Sequence, residues 1–263
     1  MSKVIAVCNQ KGGVAKTTTT QALAVELSNA GYKVLVIDGD HQANLTMVFT
    51  GKSDDDLELT LAQLIMAEIR KVPYETTDAI LETSEGVDII PSSTILADVD
   101  IELMNAMSRE NVVKNIISQV KDNYDYILID CPPSLGLITV NMLTAADSVL
   151  IPLKASVLSV VGMQQLFRTI GQVRDYTNKD LYVEGILFTM FPARTNISQS
   201  IVEKVEQTFG KKVYIYKAMI PNSIKVEEAY ASNKTVTTYR PSSKLAQEYK
   251  KFAEEFMTRN GGK

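Results

Sequence analysis

The most informative segment of this sequence is Gln10-Lys11-Gly12-Gly13-Val14-Ala15-Lys16-Thr17-Thr18. It follows an apolar run at residues 4–8 that is typical of a buried strand, and it precedes a helix-forming stretch at residues 18–30. Small residues in such a turn let backbone N–H groups face an anion, while a lysine neutralises phosphate charge and a hydroxyl is available to Mg²⁺. The order of strand, glycine-rich turn, Lys-Thr and helix therefore predicts a phosphate-binding loop, with Lys16 and Thr17 in the last two roles.

Apolar strand-like runs recur along the chain, and stretches with helical periodicity separate several of them. Two of the runs are apolar on consecutive positions, as expected for strands that are covered on both faces. This alternation predicts an α/β fold, namely a mostly parallel twisted sheet with helices on both faces. The runs lie at residues 4–8, 34–37, 87–90, 126–129, 149–153 and 185–188.

The composition predicts one soluble domain. A chain of 263 residues with 45% hydrophobic and 22% charged residues has the size and balance of a single α/β core. No run approaches about 20 apolar residues, and no charged segment with a hydrophobic signal core precedes the first strand, so we expect a protein that is not exported. Cys8 and Cys131 lie in apolar strand patterns without a CxxC partner, which indicates reduced core thiols in the cytosol.

The charge is distributed unevenly along the chain. Residues 1–190 hold 14 Lys and Arg against 24 Asp and Glu, a balance of -10, whereas residues 191–263 hold 13 against 7, a balance of +6. A basic C-terminal part modestly favours binding to a polyanionic partner. The alternative is that these residues lie on the solvated surface of helices. Composition alone leaves both interpretations open.

Two acidic segments follow predicted strands. Asp38-Gly39-Asp40-His41-Gln42-Ala43-Asn44 follows the second run, and Asp130-Cys131-Pro132-Pro133 follows the fourth. The carboxyl ends of parallel strands meet at the ligand-binding edge of such sheets, so we expect these carboxylates beside the phosphate loop. The alternative for the Asp38/Asp40 pair is a cap for the next helix. No constellation supports a Ser, Cys or His nucleophile, which leaves positioning and electrostatics as the source of catalysis.

These motifs resemble those of the deviant P-loop ATPases of the ParA/MinD superfamily, and in particular its ParA/Soj partition ATPases. The phosphate loop resembles KGGxGKS/T, residues 38–44 resemble DxDPQxN, and residues 126–133 resemble the hhhhDxPP form of Walker B. Residues 101–110 resemble ELxxxxSRE, residues 187–196 LTMYxxRTN, and residues 220–229 IPRNxxxxEA, so the resemblance covers nearly the whole chain. Ala15 and His41 depart from the family pattern, which has glycine and proline at these positions.

The resemblance implies an ATPase that uses Mg²⁺ and places two ATP molecules between two subunits. Lys11 would reach the partner's nucleotide and act with Lys16 on transition-state charge, while Asp40 would orient the attacking water. The metal would be held by Thr17, Asp38 and Asp130. The nucleotide-binding residues implied are Lys11, Gly12, Gly13, Val14, Ala15, Lys16, Thr17, Thr18, Pro221 and Asn222.

Two departures from the family pattern affect these expectations. The Cβ of Ala15 is expected to slow turnover more than nucleotide binding, because it comes close to the phosphates. His41 is the single histidine of the chain. The family scheme needs no histidine base, so we expect His41 to be a loop side chain.

The resemblance also implies partners and a cycle. It implies a homodimer with ATP that binds nonspecific double-stranded DNA and leaves it when a ParB-like centromere-binding protein stimulates slow hydrolysis. The DNA face would include Arg194 and Lys225, with Lys217, Lys234 and Arg240 as further candidates, in agreement with the basic C-terminal part. We expect a single ParA-type domain over residues 1–263, no helix-turn-helix before the first strand, and a cytoplasmic, nucleoid-associated protein.

Other functions stay open at this point. A MinD-like membrane-cycling positioning ATPase needs a lipid-seeking tail. Residues 243–259 instead mix Lys and Glu opposite an apolar stripe, which is typical of packing against a domain; the stripe is Leu245, Tyr249, Phe252 and Phe256. A nitrogenase-reductase-like enzyme would need cluster cysteines, and nothing specifies the small substrate of a dethiobiotin-synthetase-like enzyme. Residues 259–263 also differ from the tyrosine-rich tail of a bacterial tyrosine kinase.

Overall fold

Eight strands form one sheet in the computed structural model, which describes residues 2–192 and 196–261, without the side chains of residues 157–161, 196 and 197. The spatial order is β3-β4-β2-β5-β1-β6-β7-β8, and every neighbouring pair is parallel except β3 with β4. The strands are β1 (Lys3–Val7), β2 (Val34–Asp38), β3 (Leu81–Glu82), β4 (Asp88–Ile90), β5 (Tyr126–Asp130), β6 (Ser148–Lys154), β7 (Tyr182–Phe191) and β8 (Ile215–Pro221).

Helices cover both faces of the sheet. Along β1, the side chains of Val4 and Ala6 pack into one buried cluster with α3 to α8, while those of Ile5 and Val7 pack into a second cluster with α1, α2 and α9 to α11. The α/β expectation is therefore confirmed. The helices are α1 (Lys16–Asn29), α2 (Asn44–Thr50), α3 (Leu61–Arg70), α4 (Leu96–Met104), α5 (Val112–Ser118), α6 (Leu137–Ala145), α7 (Val157–Tyr176), α8 (Asn196–Phe209), α9 (Lys225–Ala231), α10 (Val236–Tyr239) and α11 (Lys244–Arg259).

The sequence pattern missed the two strands at the edges of the sheet. β3 has only two residues, and neither is buried. β8 buries Tyr216, Ala218 and Ile220 but exposes Lys217, so it alternates and lacks the continuous apolar run of the interior strands. Both strands have a neighbour on one side only, and this explains why continuous hydrophobicity did not reveal them.

The C-terminal stripe packs as expected. Leu245, Tyr249, Phe252 and Phe256 are all buried on α11 against the cluster that contains α1 and β8. The two cysteines, Cys8 and Cys131, are free thiols in the core, which confirms the expectation of reduced and buried side chains. None of the helices in the described part of the chain is long and apolar enough to cross a membrane.

Candidate nucleotide-binding site

The phosphate loop leaves the carboxyl end of β1, which lies between β5 and β6 in the middle of the sheet. Its turn is fixed from several sides. The Asn9 side-chain amide donates to the backbone oxygen of Pro152 at 2.7 Å and its oxygen accepts from the Lys11 N–H at 3.0 Å. The Thr189 hydroxyl donates to the backbone oxygen of Val14 at 2.9 Å. The neighbouring strands β6 and β7 thus hold the loop.

Two loop residues have the left-handed backbone conformation. Gly13 has a φ of 66°, and Ala15, directly before α1, has φ 62° and ψ 37°. Glycine adopts this region freely, whereas a residue with a Cβ pays roughly 1–2 kcal/mol for it. This backbone conformation explains the glycine that the family pattern has at position 15. In this chain, alanine adopts the conformation under strain.

Lys16 and Thr17 begin α1 beside the carboxylate of Asp130. The Thr17 hydroxyl donates to Asp130 Oδ2 at 2.6 Å, and the Lys16 residue is only 7% exposed. The pKa of Asp130 is raised to about 8, first by burial and then by the neighbouring Asp38 charge, although the Thr17 hydrogen bond and the Lys16 charge act in the opposite direction. The site thus combines a buried cation, a hydroxyl and a carboxylate whose negative charge lacks full compensation.

Asp38 lies next to Asp130 on the neighbouring strand. The two residues are register partners at the carboxyl ends of β2 and β5. Asp38 Oδ2 accepts hydrogen bonds from the Thr46 N–H at 2.8 Å and the Thr46 hydroxyl at 2.7 Å, and Oδ1 accepts from the Asp40 N–H at 3.2 Å. Burial is the main cause that raises the pKa of Asp38, and with these hydrogen bonds counteracting part of the effect the pKa is about 6. Asp38 therefore does cap the following helix α2, as the alternative interpretation held, and it also faces the site.

Asp40 lies at the start of the loop between β2 and α2. It is 8% exposed, and its Oδ1 accepts from the Gln42 N–H at 3.1 Å. His41 Nδ1 lies 3.6 Å from the same oxygen, with the His41 side chain 42% exposed. Asp40 also contributes to the raised pKa of Asp130, so the three carboxylates interact. The structure brings together all the residues that were expected around the metal and the water.

Gly39 allows this close approach of β2 and β5. Its N–H donates to the backbone oxygen of Asp130 at 3.0 Å. A Cβ at position 39 would lie 2.0 Å from the terminal methyl of Met142 and 2.8 Å from that backbone oxygen. The glycine between the two aspartates is thus a packing requirement.

A Mg²⁺ ion fits this donor set when phosphates complete its shell. In the described residues, no group of three or more His, Cys, Asp or Glu side chains is arranged as a protein cage for a metal. Mg²⁺ keeps several waters and is usually bound by one or two carboxylates plus substrate phosphates. The Thr17 hydroxyl and the Asp130 carboxylate supply such a partial set.

A cavity of about 240 Å³ opens beside the phosphate loop. Pro221 and Asn222, the residues expected near the base, line it together with Gly13, Ala15 and Thr18. Tyr249 of α11 closes another side. The cavity is mostly apolar with a few polar groups, and its position next to the loop suits a nucleobase.

Lys11 contacts its own chain in this structure. Its Nζ donates to the Ser156 hydroxyl at 3.3 Å, in the segment between β6 and α7. No sequence pattern indicated a role for Ser156, or for Thr46, whose hydroxyl connects Asp38 with Ser92 after β4. A lone hydroxyl between apolar residues carries no signal of its own, so only the three-dimensional contact reveals it.

The basic residues expected to face DNA lie in two places. Lys225, Lys234 and Arg240 lie on or beside α9 and α10, while Lys217 is exposed on the edge strand β8. Lys225 Nζ lies 2.6 Å from Glu228. This hydrogen bond lowers the pKa of Glu228, and Arg240 lowers it further, which puts both cations around one carboxylate. Arg194 lies outside the described residues.

Comparison with known proteins places this geometry in a family. Residues 2–183 match a family model described as an AAA domain. The sporulation initiation inhibitor protein Soj of Bacillus subtilis is 41% identical over 256 residues, covering 97% of this chain and 98% of that protein. The chromosome partitioning protein ParA of Caulobacter vibrioides is 38% identical, covering 98% and 94%.

A solved structure shares the fold. The crystal structure named cobyrinic acid a,c-diamide synthase from Mycobacterium smegmatis, with bound ADP and magnesium, has a TM-score of 0.85 and 32% identity, covering 99% of this chain and 96% of that one. The Soj and ParA proteins match over 98% and 94% of their own lengths with higher identity. The chain therefore belongs to the ParA/Soj family of partition ATPases.

Proposed function

We propose that this chain is an ATP-dependent dimerising ATPase that partitions a plasmid or a chromosome. In its ATP state it binds nonspecific double-stranded DNA as a homodimer, and it leaves DNA after a slow hydrolysis that a ParB-like centromere-binding protein stimulates. The observation that carries the proposal is the convergence of Lys16 and Thr17 with the carboxylates of Asp38, Asp40 and Asp130 at one edge of the sheet. Relatives named for chromosome partitioning support this cargo class.

ATP and Mg²⁺ fit the site through residues that are already in place. Backbone N–H groups of the loop and the N-terminus of α1 would bind the phosphates, and Lys16 would supply a buried positive charge. Mg²⁺, when bound, neutralises charge that develops on the terminal phosphates. Thr17 would hold the metal directly, and Asp38 and Asp130 would hold it through water. Pro221 and Asn222 would contact the base in the adjoining cavity.

Hydrolysis in this proposal depends on position and charge. Asp40 orients the attacking water and is itself oriented by the Gln42 N–H. Lys11 exchanges its contact with Ser156 for the nucleotide of the partner subunit, where it stabilises transition-state charge. Each subunit thus completes its neighbour's site, so hydrolysis and dimerisation are linked.

A salt titration of duplex DNA binding with ATP, with ADP and without nucleotide tests the whole proposal. Retention should be strong with ATP only, and log affinity should fall linearly with log salt, by about 0.9 for each phosphate contacted. Equal retention in the three nucleotide states would contradict an ATP-gated DNA carrier. Complete lack of retention at low salt would reject DNA as the partner.

A flotation assay with liposomes and ATP separates the proposal from the MinD-like alternative. The apolar side of α11 is packed into the core through residues such as Phe252 and Phe256, so these side chains are not available to lipid. We expect the protein to stay with the soluble fraction while it retards duplex DNA. Flotation without DNA retardation would favour the membrane-cycling function.

A further inference from the structure

A row of exposed apolar side chains runs along α4. Ala97, Ile101 and Met104 recur at helical spacing, and the exposed Met107 follows the end of the helix; we refer to these four residues as the α4 face. Ile101 is 61%, Met104 56% and Met107 93% exposed. The opposite side of α4 is buried, so the helix is held firmly while the α4 face is open. Scattered exposed apolar residues are ordinary, whereas a continuous row on one helix marks a candidate interaction surface.

An acidic loop flanks the N-terminal end of the α4 face. Asp55, Asp56 and Glu58 are exposed, and Asp98 adds an exposed carboxylate on α4 itself. Asp54 fixes the loop there because its Oδ2 accepts from the Thr94 N–H at 2.8 Å. The arginines around the face are engaged with carboxylates: Arg70 lies 3.6 Å from Glu102, and Arg109 lies 3.0 Å from Glu110. These two pairs carry no net charge, and the exposed Lys52 of the loop is outnumbered by the exposed carboxylates, so the rim is negative and complements a basic partner.

Hydrogen bonds connect the segment before α4 with Asp38. The Ser92 N–H donates to the Thr46 hydroxyl at 2.8 Å, and that hydroxyl donates to Asp38 Oδ2 at 2.7 Å. All three residues are buried, so water does not compete for these bonds. A displacement of the segment before α4 would act on Asp38 through one intervening side chain.

A second connection leads from α4 to the segment after Asp130. Asp100 Oδ1 accepts from the Ile138 N–H at 2.8 Å, at the start of α6. The contact at Gly136 is too close for a side chain, since a Cβ at this position would lie 2.7 Å from Asp100 Oδ2. A cavity of about 350 Å³ between α4 and the Asp40 loop is lined by Asp100, His41 and Pro133. A displacement of α4 would therefore act on Asp38 through Thr46 and on the segment after Asp130 through the start of α6.

We propose that the α4 face binds a basic amphipathic segment of the partner that stimulates hydrolysis, and that binding acts on Asp38 and Asp130 through these two connections. This rests on the proposed function, since it gives the stimulating partner its docking site. The apolar row suits an amphipathic helix with apolar side chains at positions i, i+3 or i+4, and i+7. Methionines adapt to different partners' shapes, and the negative rim favours Lys and Arg beside the apolar contacts.

The double variant Ile101→Lys with Met104→Lys tests the docking site. Both positions are exposed, so folding should be unaffected, and Tyr176→Lys, at an 85% exposed position on α7, is the matched control. The purified centromere-binding protein of the same host is the probe, and ATP hydrolysis is measured against its concentration. We expect the half-maximal concentration to rise at least about tenfold in the double variant only, since 1.4 kcal/mol of lost contact corresponds to that factor. Basal hydrolysis, ATP-dependent DNA retention and dimerisation should be unchanged.

The possible results separate the docking site from the proposed function. A double variant that is stimulated like the parent chain would overturn the docking site and leave the proposed function intact. Loss of the ATP-dependent dimer in light scattering would show that the α4 face is covered by a second copy of this chain, and would also overturn it. If the partner does not stimulate hydrolysis by the parent chain, the stimulated release in the proposed function is wrong, and the docking site is wrong as well.

Asp100→Ala tests the connection to α6. This residue is a positioning residue, so the partner should still bind with parental half-maximal concentration while maximal stimulation falls several-fold. Asp100→Asn keeps an oxygen acceptor for the Ile138 N–H and should restore the stimulation. Equal maximal stimulation in Asp100→Ala and the parent chain would overturn the coupling through α6.

Discussion

At the scale of single residues, Ala15 is the clearest departure from the family pattern. Its left-handed backbone conformation, with φ 62°, is one that glycine adopts without steric cost. The turn persists because hydrogen bonds from neighbouring strands fix the loop, as with Thr189 on Val14. Strain of this kind at a functional site is compensated by the surrounding structure.

Ala15→Gly should relieve this strain. The gain of roughly 1–2 kcal/mol in the folded state is partly offset by the greater chain entropy of glycine in the unfolded state, so we expect a net stabilisation of about 0.5–1 kcal/mol. Thermal unfolding without nucleotide should show a Tm higher by about 2 °C. ATP hydrolysis should also accelerate, because the loop can then adjust around the phosphates. A lower Tm would show that the alanine methyl is stabilising in its own packing.

Substitutions of three charged residues should distinguish the requirements of nucleotide-dependent dimerisation from those of hydrolysis. Lys16→Ala removes the buried cation and Lys11→Ala the cation proposed for the partner's nucleotide, so both should abolish ATP-dependent dimerisation. Asp40→Ala should instead trap an ATP-bound dimer, because the water is no longer oriented. Light scattering with ATP and Mg²⁺, together with phosphate release, measures both effects. Parental hydrolysis by Asp40→Ala would contradict the role given to Asp40.

At the scale of elements, α11 holds the sheet edge and the base-side cavity together. Phe252 is fully buried and packs edge-on against Tyr216 of β8, with ring centroids 4.8 Å apart. Phe252→Ala should lower the free energy of unfolding by about 3–5 kcal/mol, because it removes a large buried ring and leaves a cavity. Urea unfolding measures this loss. Gln247→Ala, at an exposed position of the same helix, should stay within about 0.5 kcal/mol of the parent.

Elements with strong periodic patterns could be predicted, and contacts between distant polar groups could not. The interior strands and α11 carried continuous or helical hydrophobicity, and the phosphate loop carried a dense local motif. The sequence pattern missed β8 because an edge strand alternates between buried and exposed side chains. The double role of Asp38, as cap and site residue, depends on Thr46, eight positions further on, which no pattern in the sequence links to it.

At the scale of the whole molecule, the chain combines an acidic nucleotide-binding part with a basic C-terminal part. The nucleotide cavity lies between them, because Pro221 and Asn222 line one side of it and the phosphate loop lines the other. Val226 and Glu227 of α9 line the same cavity. The helix that carries the proposed DNA-binding Lys225 is therefore in a position to respond to the nucleotide.

Lys225→Ala tests this arrangement against a matched control in the same protein. Lys225 pairs with Glu228 at 2.6 Å, and Lys251 pairs with Glu248 at 2.7 Å, both three residues apart on a helix. If Lys225 contacts a DNA phosphate, its removal should weaken ATP-dependent retention for all sequences and reduce the slope of log affinity against log salt by about 1. Lys251→Ala removes an equivalent ion pair on α11 and should change neither quantity. If the two variants and the parent have identical salt slopes, α9 is not part of the DNA-binding surface. If only Lys225→Ala reduces the slope, DNA binding involves the helix that lines the nucleotide cavity, which would link DNA release to that helix.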